Sequence, residues 1–143
     1  MPESTPPAQP FRWTVRVYYE DTDAGGVVYY ANYLRYFERA RTEWLRSIGF
    51  SHRELAGSLG LQFVVVGIEC DYRQPARLDD VLSIALQIEK AGRASIVFDQ
   101  RAQRGEDLLA AARVRVACVD VRGFAPQPLP AAMLAAARGL MRD

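Results

Sequence analysis

The run Tyr18-Tyr19-Glu20-Asp21-Thr22-Asp23-Ala24-Gly25-Gly26-Val27-Val28-Tyr29-Tyr30-Ala31-Asn32-Tyr33 gathers carboxylates, paired glycines and phenols immediately ahead of a helical pattern. That order suits carbonyl chemistry. The first N–H groups of a helix have no partner within it and carry partial positive charge, so they can hold a carbonyl oxygen or a developing oxyanion. A carboxylate beside them, here Asp23, can activate water or attack the carbonyl carbon itself. Gly25 and Gly26 leave room for a substrate to approach the backbone. Asp-Thr-Asp-Ala-Gly-Gly is equally good turn chemistry, because Asp and Thr side chains readily bond their own backbone. On residue types alone, the turn reading stands ahead of the catalytic one.

Other chemistries find little support. His52 is the only histidine, so an imidazole cluster for zinc cannot be assembled. Gly-x-Ser-x-Gly, a P-loop and a Gly-x-Gly-x-x-Gly after a strand are all missing, which removes the usual signs of serine hydrolases and nucleotide enzymes. Cys70 and Cys118 lie in apolar runs without metal-ligand spacing, as buried reduced thiols in the cytoplasm would. No cofactor is implied.

The elements around the motif can be read from periodicity. Phe11 to Tyr19 alternates, with Phe11, Trp13, Val15, Val17 and Tyr19 on one side, and predicts a strand. Tyr33, Phe37, Ala40, Trp44 and Ile48 recur at helical spacing, with Asn32 as N-cap and Gly49 as stop. They predict an amphipathic helix of about 16 residues, roughly 24 Å long. Ser51 and Glu54 read as a capping box opening a short second helix. Strands are predicted over Gln62–Tyr72, Val81–Ala91, Ala94–Arg104 and Leu108–Val121, before Pro126, Pro128 and Pro130 introduce an alanine-rich C-terminal helix. Short links between the last three strands favour antiparallel pairing.

The result is an α+β architecture in which about five antiparallel strands cover one long helix. Residues 1–10 read as a disordered tail and 11–143 as a single domain. With 143 residues, half of them apolar, the chain can build one sizeable core. Eighteen basic against seventeen acidic residues give a net charge of +1, without runs of either sign, which argues against nucleic acid as a partner. The N-terminus carries no signal or anchor pattern, and no transmembrane segment is expected. Exposed strand edges predict a homodimer or homotetramer.

The segment Val17 to Gly49, running through Glu-Asp-Thr-Asp-Ala-Gly-Gly-Val-Val-Tyr-Tyr-Ala-Asn-Tyr into Phe-Glu-Arg-Ala-Arg-Thr-Glu-Trp-Leu, resembles the 4-hydroxybenzoyl-CoA thioesterase family. Its nearest branch is that of the Tol-Pal-associated acyl-CoA thioesterases. The similarity extends from about Phe11 to Pro130 and includes Asp71-Tyr72, Pro75-Ala76-Arg77-Leu78-Asp79-Asp80 and Cys118-Val119-Asp120. It implies a hot-dog fold, active sites at a dimer interface and hydrolysis of acyl-CoA thioesters. By motif position, Asp23 matches the catalytic aspartate and Tyr19 a site tyrosine of that branch. Tyr30 stands where the branch carries histidine; the hydroxybenzoyl branch carries tyrosine there and uses its backbone N–H on the thioester carbonyl. Gly25, Gly26 and Val27 fall against the substrate, and Lys90 and Arg93 match a region that contacts the coenzyme phosphates. His52 reads as an exposed first-turn residue, Glu38 and Glu43 as helical ion-pairing groups with Glu43 four residues after Arg39, and Trp13, Tyr18 and Tyr33 as packing residues. Asp23 as general base, Asp23 as nucleophile, and a non-catalytic scaffold binding acyl-CoA or acyl carrier protein all remain open. A dehydratase ranks below them, since no histidine lies beside Asp23.

Overall fold

The structure, a computed structural model, describes residues 9–141, so residues 1–8 of the expected tail lie outside the described residues. The chain forms β1 (Phe11–Arg16), α1 (Asn32–Ser47), α2 (His52–Glu54) running into a π turn at Leu55–Leu59, β2 (Leu61–Tyr72), β3 (Val81–Ala91), β4 (Ser95–Arg104), β5 (Asp107–Asp120) and α3 (Ala131–Gly139). The strands make one sheet in the order β1-β3-β4-β5-β2, every neighbouring pair antiparallel. Tight links make β3, β4 and β5 consecutive hairpins, and β1 and β2 are left as the two edges.

The helix lies against this sheet as the hot-dog arrangement requires. Its inner face buries Tyr33, Tyr36, Phe37, Ala40, Trp44 and Leu45 against inward residues such as Leu82, Ile84, Leu86, Phe98, Val114 and Val116. Side chains of this size stabilise by about 1.5–3 kcal/mol each when fully buried, so α1 is held chiefly by packing. Gln100, fully buried on β4, donates from Nε2 to Phe37 O at 2.8 Å and accepts from Arg41 Nη1 at 2.9 Å. Helix and sheet are thereby fixed in register. Gly49, at φ 92°, closes α1 with Gly49 N bonded to Arg46 O and Phe50 N to Leu45 O.

Several expectations need correction. Asn32 is the first helical residue rather than the N-cap; Ala31 occupies that position, and the Asn32 side chain donates to Asp21 O at 2.8 Å. β1 ends at Arg16 instead of continuing to Tyr19; Val15 and Val17 are buried, Trp13, on the same face as Val15 but at the sheet edge, is left uncovered, and Tyr19 is exposed. Glu43 pairs with Arg46, one turn toward the C-terminus, not with Arg39. Only half of the capping box forms, with Ser51 Oγ accepting Glu54 N at 3.1 Å.

Candidate active site

The candidate loop crosses the end of the sheet from the β1 edge to the C-terminal end of β2. Its near end is clamped where Val17 N donates to Asp80 O and Asp79 N donates to Val17 O, at 2.8 and 3.0 Å. A 3-10 turn follows at Tyr19–Asp21, and Tyr18 N donates to Asp21 Oδ2 at 2.8 Å. Asp21 is the anchor of the loop. Its carbonyl oxygen accepts Tyr29 N at 3.0 Å and Asn32 Nδ2 at 2.8 Å, which locks the loop to the first turn of α1. Further on, Val28 N donates to Ala76 O at 2.8 Å, and Ala76 N donates to the Tyr33 hydroxyl at 3.1 Å. The Pro75–Asp80 turn beneath is held by Arg104, whose Nη1 reaches Asp80 Oδ2 at 2.9 Å and Pro75 O at 3.2 Å.

Asp23 stands at the tip. Asp23 N donates to Val27 O at 2.9 Å and Gly26 N to Asp23 O at 3.0 Å, with Gly26 at φ 80°, a conformation that favours glycine. Asp23 Oδ1 accepts Gly25 N at 2.8 Å, and a Cβ added at Gly25 would come within 3.2 Å of that oxygen. One carboxylate oxygen therefore does serve the turn. The other has no hydrogen bond among the described residues. The side chain is exposed in the single chain, so the partial burial expected for a carboxylate base is not supplied by its own protomer.

At the far end of the loop, Tyr30 borders an open groove of about 270 Å³ shared with Val28, Tyr33, Tyr72, Arg73 and Pro75. Tyr30 and Tyr33 meet the Tyr72 ring at centroid distances of 5.9 and 5.5 Å. Burial pushes the Tyr72 phenol up to about 12 and also raises that of Tyr33, so neither titrates near neutral pH. The hydroxyl of Tyr36 is buried near the Asp21 carboxylate without closing a hydrogen bond, and burial together with that negative charge pushes its pKa well up. Among the described residues neither the Tyr30 N–H nor the Ala31 N–H donates a hydrogen bond, whereas Asn32 N is already bonded to Tyr29 O.

One loop thus carries Asp23, Gly25, Gly26 and Val27 at its tip and Tyr30 at its far end, beside α1. Tyr19 is 81% exposed, and its carbonyl rather than its phenol is engaged, accepting Thr22 Oγ1 at 2.8 Å. Lys90 and Arg93 are not brought to the loop. They flank the β3–β4 turn, and nine residues of strand from Val81, at the loop's end of the sheet, place Lys90 roughly 30 Å along it. Reading the sequence alone misses Asp21, Asn32 and Tyr72 as shapers of the site. The signals available are an Asp three residues after Tyr18 and an aromatic at the end of a strand. Among the described residues no three His, Cys, Asp or Glu side chains gather as metal ligands, and no helix is long and apolar enough to cross a membrane.

Comparisons with known proteins show the family. The sequence profile of the thioesterase superfamily matches residues 25–111. The acyl-CoA thioesterase YbgC of Haemophilus influenzae is 47% identical over 126 residues, which span 88% of this chain and 93% of that protein. The acyl-CoA thioester hydrolase YbgC of Escherichia coli is 49% identical, over 87% of this chain and 93% of its own length. Among solved structures, a probable thioesterase from Bartonella henselae superposes with a TM-score of 0.80 at 39% identity, covering 83% of this chain and 98% of that one. A 1,4-dihydroxy-2-naphthoyl-CoA thioesterase from Synechocystis superposes at 0.83 with 28% identity, covering 90% and 95%.

Proposed function

The chain belongs to the thioesterase superfamily and is a thioesterase, and we propose that it hydrolyses acyl-coenzyme A to a free acid and coenzyme A with Asp23 as its essential carboxylate. The observation that carries the reading is the pairing, within one anchored loop, of a carboxylate with a free oxygen and the unbonded N–H groups of Tyr30 and Ala31. The thioester oxygen accepts from the Tyr30 N–H, aided by the positive end of α1. In the base mechanism, Asp23 takes a proton from water as the water oxygen bonds the acyl carbon. The tetrahedral intermediate then expels the thiolate, which recovers that proton. In the nucleophilic alternative, a carboxylate oxygen of Asp23 bonds the acyl carbon, the thiolate leaves, and water cleaves the resulting anhydride.

A second protomer supplies what one chain lacks. β2 is an unpaired edge twelve residues long that exposes Val65, Val66, Ile68 and Tyr72, and antiparallel pairing with the same strand of another copy satisfies its backbone and covers these side chains. Such a pairing reverses the partner's sheet, bringing its β3–β4 turn, with Lys90 and Arg93, toward the loop's end of the assembly, where coenzyme phosphates need cations. A cytoplasmic location accords with the two free thiols, Cys70 and buried Cys118. The exposure of Asp23 also favours a second reading, a scaffold that binds acyl-CoA or acyl carrier protein without turnover.

Thiol release from a panel of straight-chain and aromatic acyl-CoAs, with Asp23→Asn alongside, tests the proposal. Turnover by the wild type on at least one substrate and its loss in the variant is the expected result. Tight binding without turnover on any substrate leaves the scaffold.

A further inference from the structure

Both legs of the candidate loop hang from one turn. On the near leg, Val17 exchanges backbone hydrogen bonds with Asp79 and Asp80; on the far leg, Val27 forms an antiparallel bridge with Arg77, and Val28 N donates to Ala76 O at 2.8 Å. The shape of the Pro75–Asp80 turn therefore sets the spacing of the two legs, and with it where the tip carrying Asp23 stands relative to the Tyr30 N–H. The turn has few bonds of its own. Asp80 N donates to Arg77 O at 3.1 Å and Arg77 N to Asp80 Oδ2 at 2.9 Å, which closes only its second half, and Asp79 sits at φ 69°, a left-handed conformation uncommon for a residue with a side chain.

The remaining support comes from β4. Arg104, its last residue, donates from Nη1 to Asp80 Oδ2 at 2.9 Å and to Pro75 O at 3.2 Å, so a single nitrogen ties the first residue of the turn to the last. Arg16 reaches the turn as well, but only at Asp79 O. Among the described residues, Arg104 alone has a side chain bonded to both ends. Asp107, across the β4–β5 hairpin, lies 3.7 Å from Nη2 and steadies the guanidinium from its other side. The Arg104 and Asp80 side chains are 33% and 24% exposed, and an ion pair so open to water contributes little to stability. Its effect on geometry is larger: a displacement of about 1 Å at the reacting groups, caused by a change far from them, can cost on the order of a hundredfold in rate.

We propose that Arg104 is a positioning residue for thioester hydrolysis, which fixes the span of the Pro75–Asp80 turn and thereby the placement of Asp23 against the carbonyl held at the Tyr30 N–H. The inference rests on the Asp23 reading above and deepens it. Arg104 does not touch substrate and does not line the groove beside Tyr30 and Tyr72. Its loss therefore lowers kcat and kcat/KM together and leaves KM nearly unchanged.

Arg104→Met keeps the reach of the side chain but donates nothing, whereas Arg104→Lys restores one nitrogen with three protons, enough for both bonds. Arg113→Met, which removes an ion pair with Glu89 on the face of the sheet away from α1, serves as control. Steady-state thiol release is measured on the best acyl-CoA, at a temperature where melting curves and light scattering show every variant folded and associated as the wild type is. Arg104→Met is expected to lose at least about tenfold in kcat with KM held within about twofold, Arg104→Lys to recover most of that loss, and Arg113→Met to match the wild type. A wild-type kcat in Arg104→Met, or an equal loss in Arg104→Lys or in Arg113→Met, overturns the inference. Should Arg104→Met not fold, Arg104→Gln, too short to reach both acceptors, is read against the same thresholds. Asp23→Asn, assayed alongside, separates the two claims. If it keeps the wild-type kcat, the Asp23 reading fails by itself, and hydrogen exchange at the Val28 N–H still decides whether Arg104 holds the loop. Exchange at least about tenfold faster in Arg104→Met and slowed again in Arg104→Lys supports that role; equal exchange refutes it.

Discussion

Asn at position 23 separates a turn residue from a catalytic one, because only one oxygen of Asp23 is engaged by the turn and the proposal gives the charge of the carboxylate its own task. Oδ1 accepts Gly25 N at 2.8 Å, and an asparagine amide oxygen accepts the same bond in the same Asx-type geometry. Asp23→Asn is therefore expected to leave the loop intact, with stability changed by less than about 0.5 kcal/mol, as for an exposed position away from the core. The lost charge removes general-base or nucleophilic action. A positioned base contributes about 10²–10⁴ in rate, equivalent to roughly 3–5.5 kcal/mol of barrier, so kcat should fall by that factor while the melting temperature holds. Steady-state thiol release on the best acyl-CoA, paired with calorimetric melting, reads both quantities. Asp23→Ala makes a useful contrast, since it also deletes the Gly25 bond and should cost about 1 kcal/mol of stability in addition. If Asp23→Asn retains more than a tenth of the wild-type kcat, the carboxylate is only a turn residue, and neither the base nor the nucleophilic mechanism survives.

Asn32→Ala leaves the buried Asp21 carbonyl with one donor fewer and should lower stability by about 1–3 kcal/mol and kcat with it; unchanged melting would show that the α1–loop lock is dispensable. Tyr36→Phe removes a buried hydroxyl that closes no hydrogen bond, so unfolding in urea should show a neutral change or a gain of up to about 1 kcal/mol, and a clear loss would mean that Asp21 does accept from it. Burial works to raise the Asp80 carboxyl, but the Arg77 N–H and the Arg104 guanidinium outweigh it and hold the group below its ordinary 3.8. A depressed carboxyl contributes stability that is complete above its unfolded value and is lost as pH falls through the lower folded one. The stability difference between wild type and Asp80→Asn, measured by denaturant unfolding from about pH 6 to about pH 2.5, should shrink below about pH 4, and a constant difference would refute the assignment.

How much of the fold is legible in the residues depends on the distance over which each feature is determined. The limits of β3 and the helical stripe from Tyr33 to Trp44 are local consequences of side-chain period, and both are found as read. Gly49 ends α1 because the left-handed conformation there is a local need. The end of β1 escapes a local reading because Val17 and Tyr19 continue its alternation, while the bonds of Val17 with Asp79 and Asp80, more than sixty residues away, turn the chain out of the strand. Asn32 escapes it for a similar reason. As a residue type it fits an N-cap, but a backbone carbonyl eleven residues earlier takes its side chain. The family motif locates Asp23, Gly25, Gly26, Val27 and Tyr30 on one loop, yet the contribution of Tyr72 depends on β2 ending beside α1, which no local pattern encodes.

The loop's support explains how the carboxylate proposed as catalytic can stand at so exposed a tip. Asp21, Asn32, Tyr33 and Ala76 hold its two ends through bonds that are themselves shielded, so positional order comes from below and the tip remains free to meet substrate. What such a loop cannot supply alone is exclusion of water, on which strong electrostatic stabilisation of an oxyanion depends. The unpaired β2 edge offers a second copy a place to dock away from the loop's anchors. On the proposed β2 pairing, association and catalysis are coupled: a substitution such as Val66→Lys, which sets a charge on the β2 edge far from Asp23 along the chain, should yield a folded monomer with little thioesterase activity. Full activity in a monomer, established by light scattering at assay concentration, would show that one chain closes its own site and would remove the need for the second.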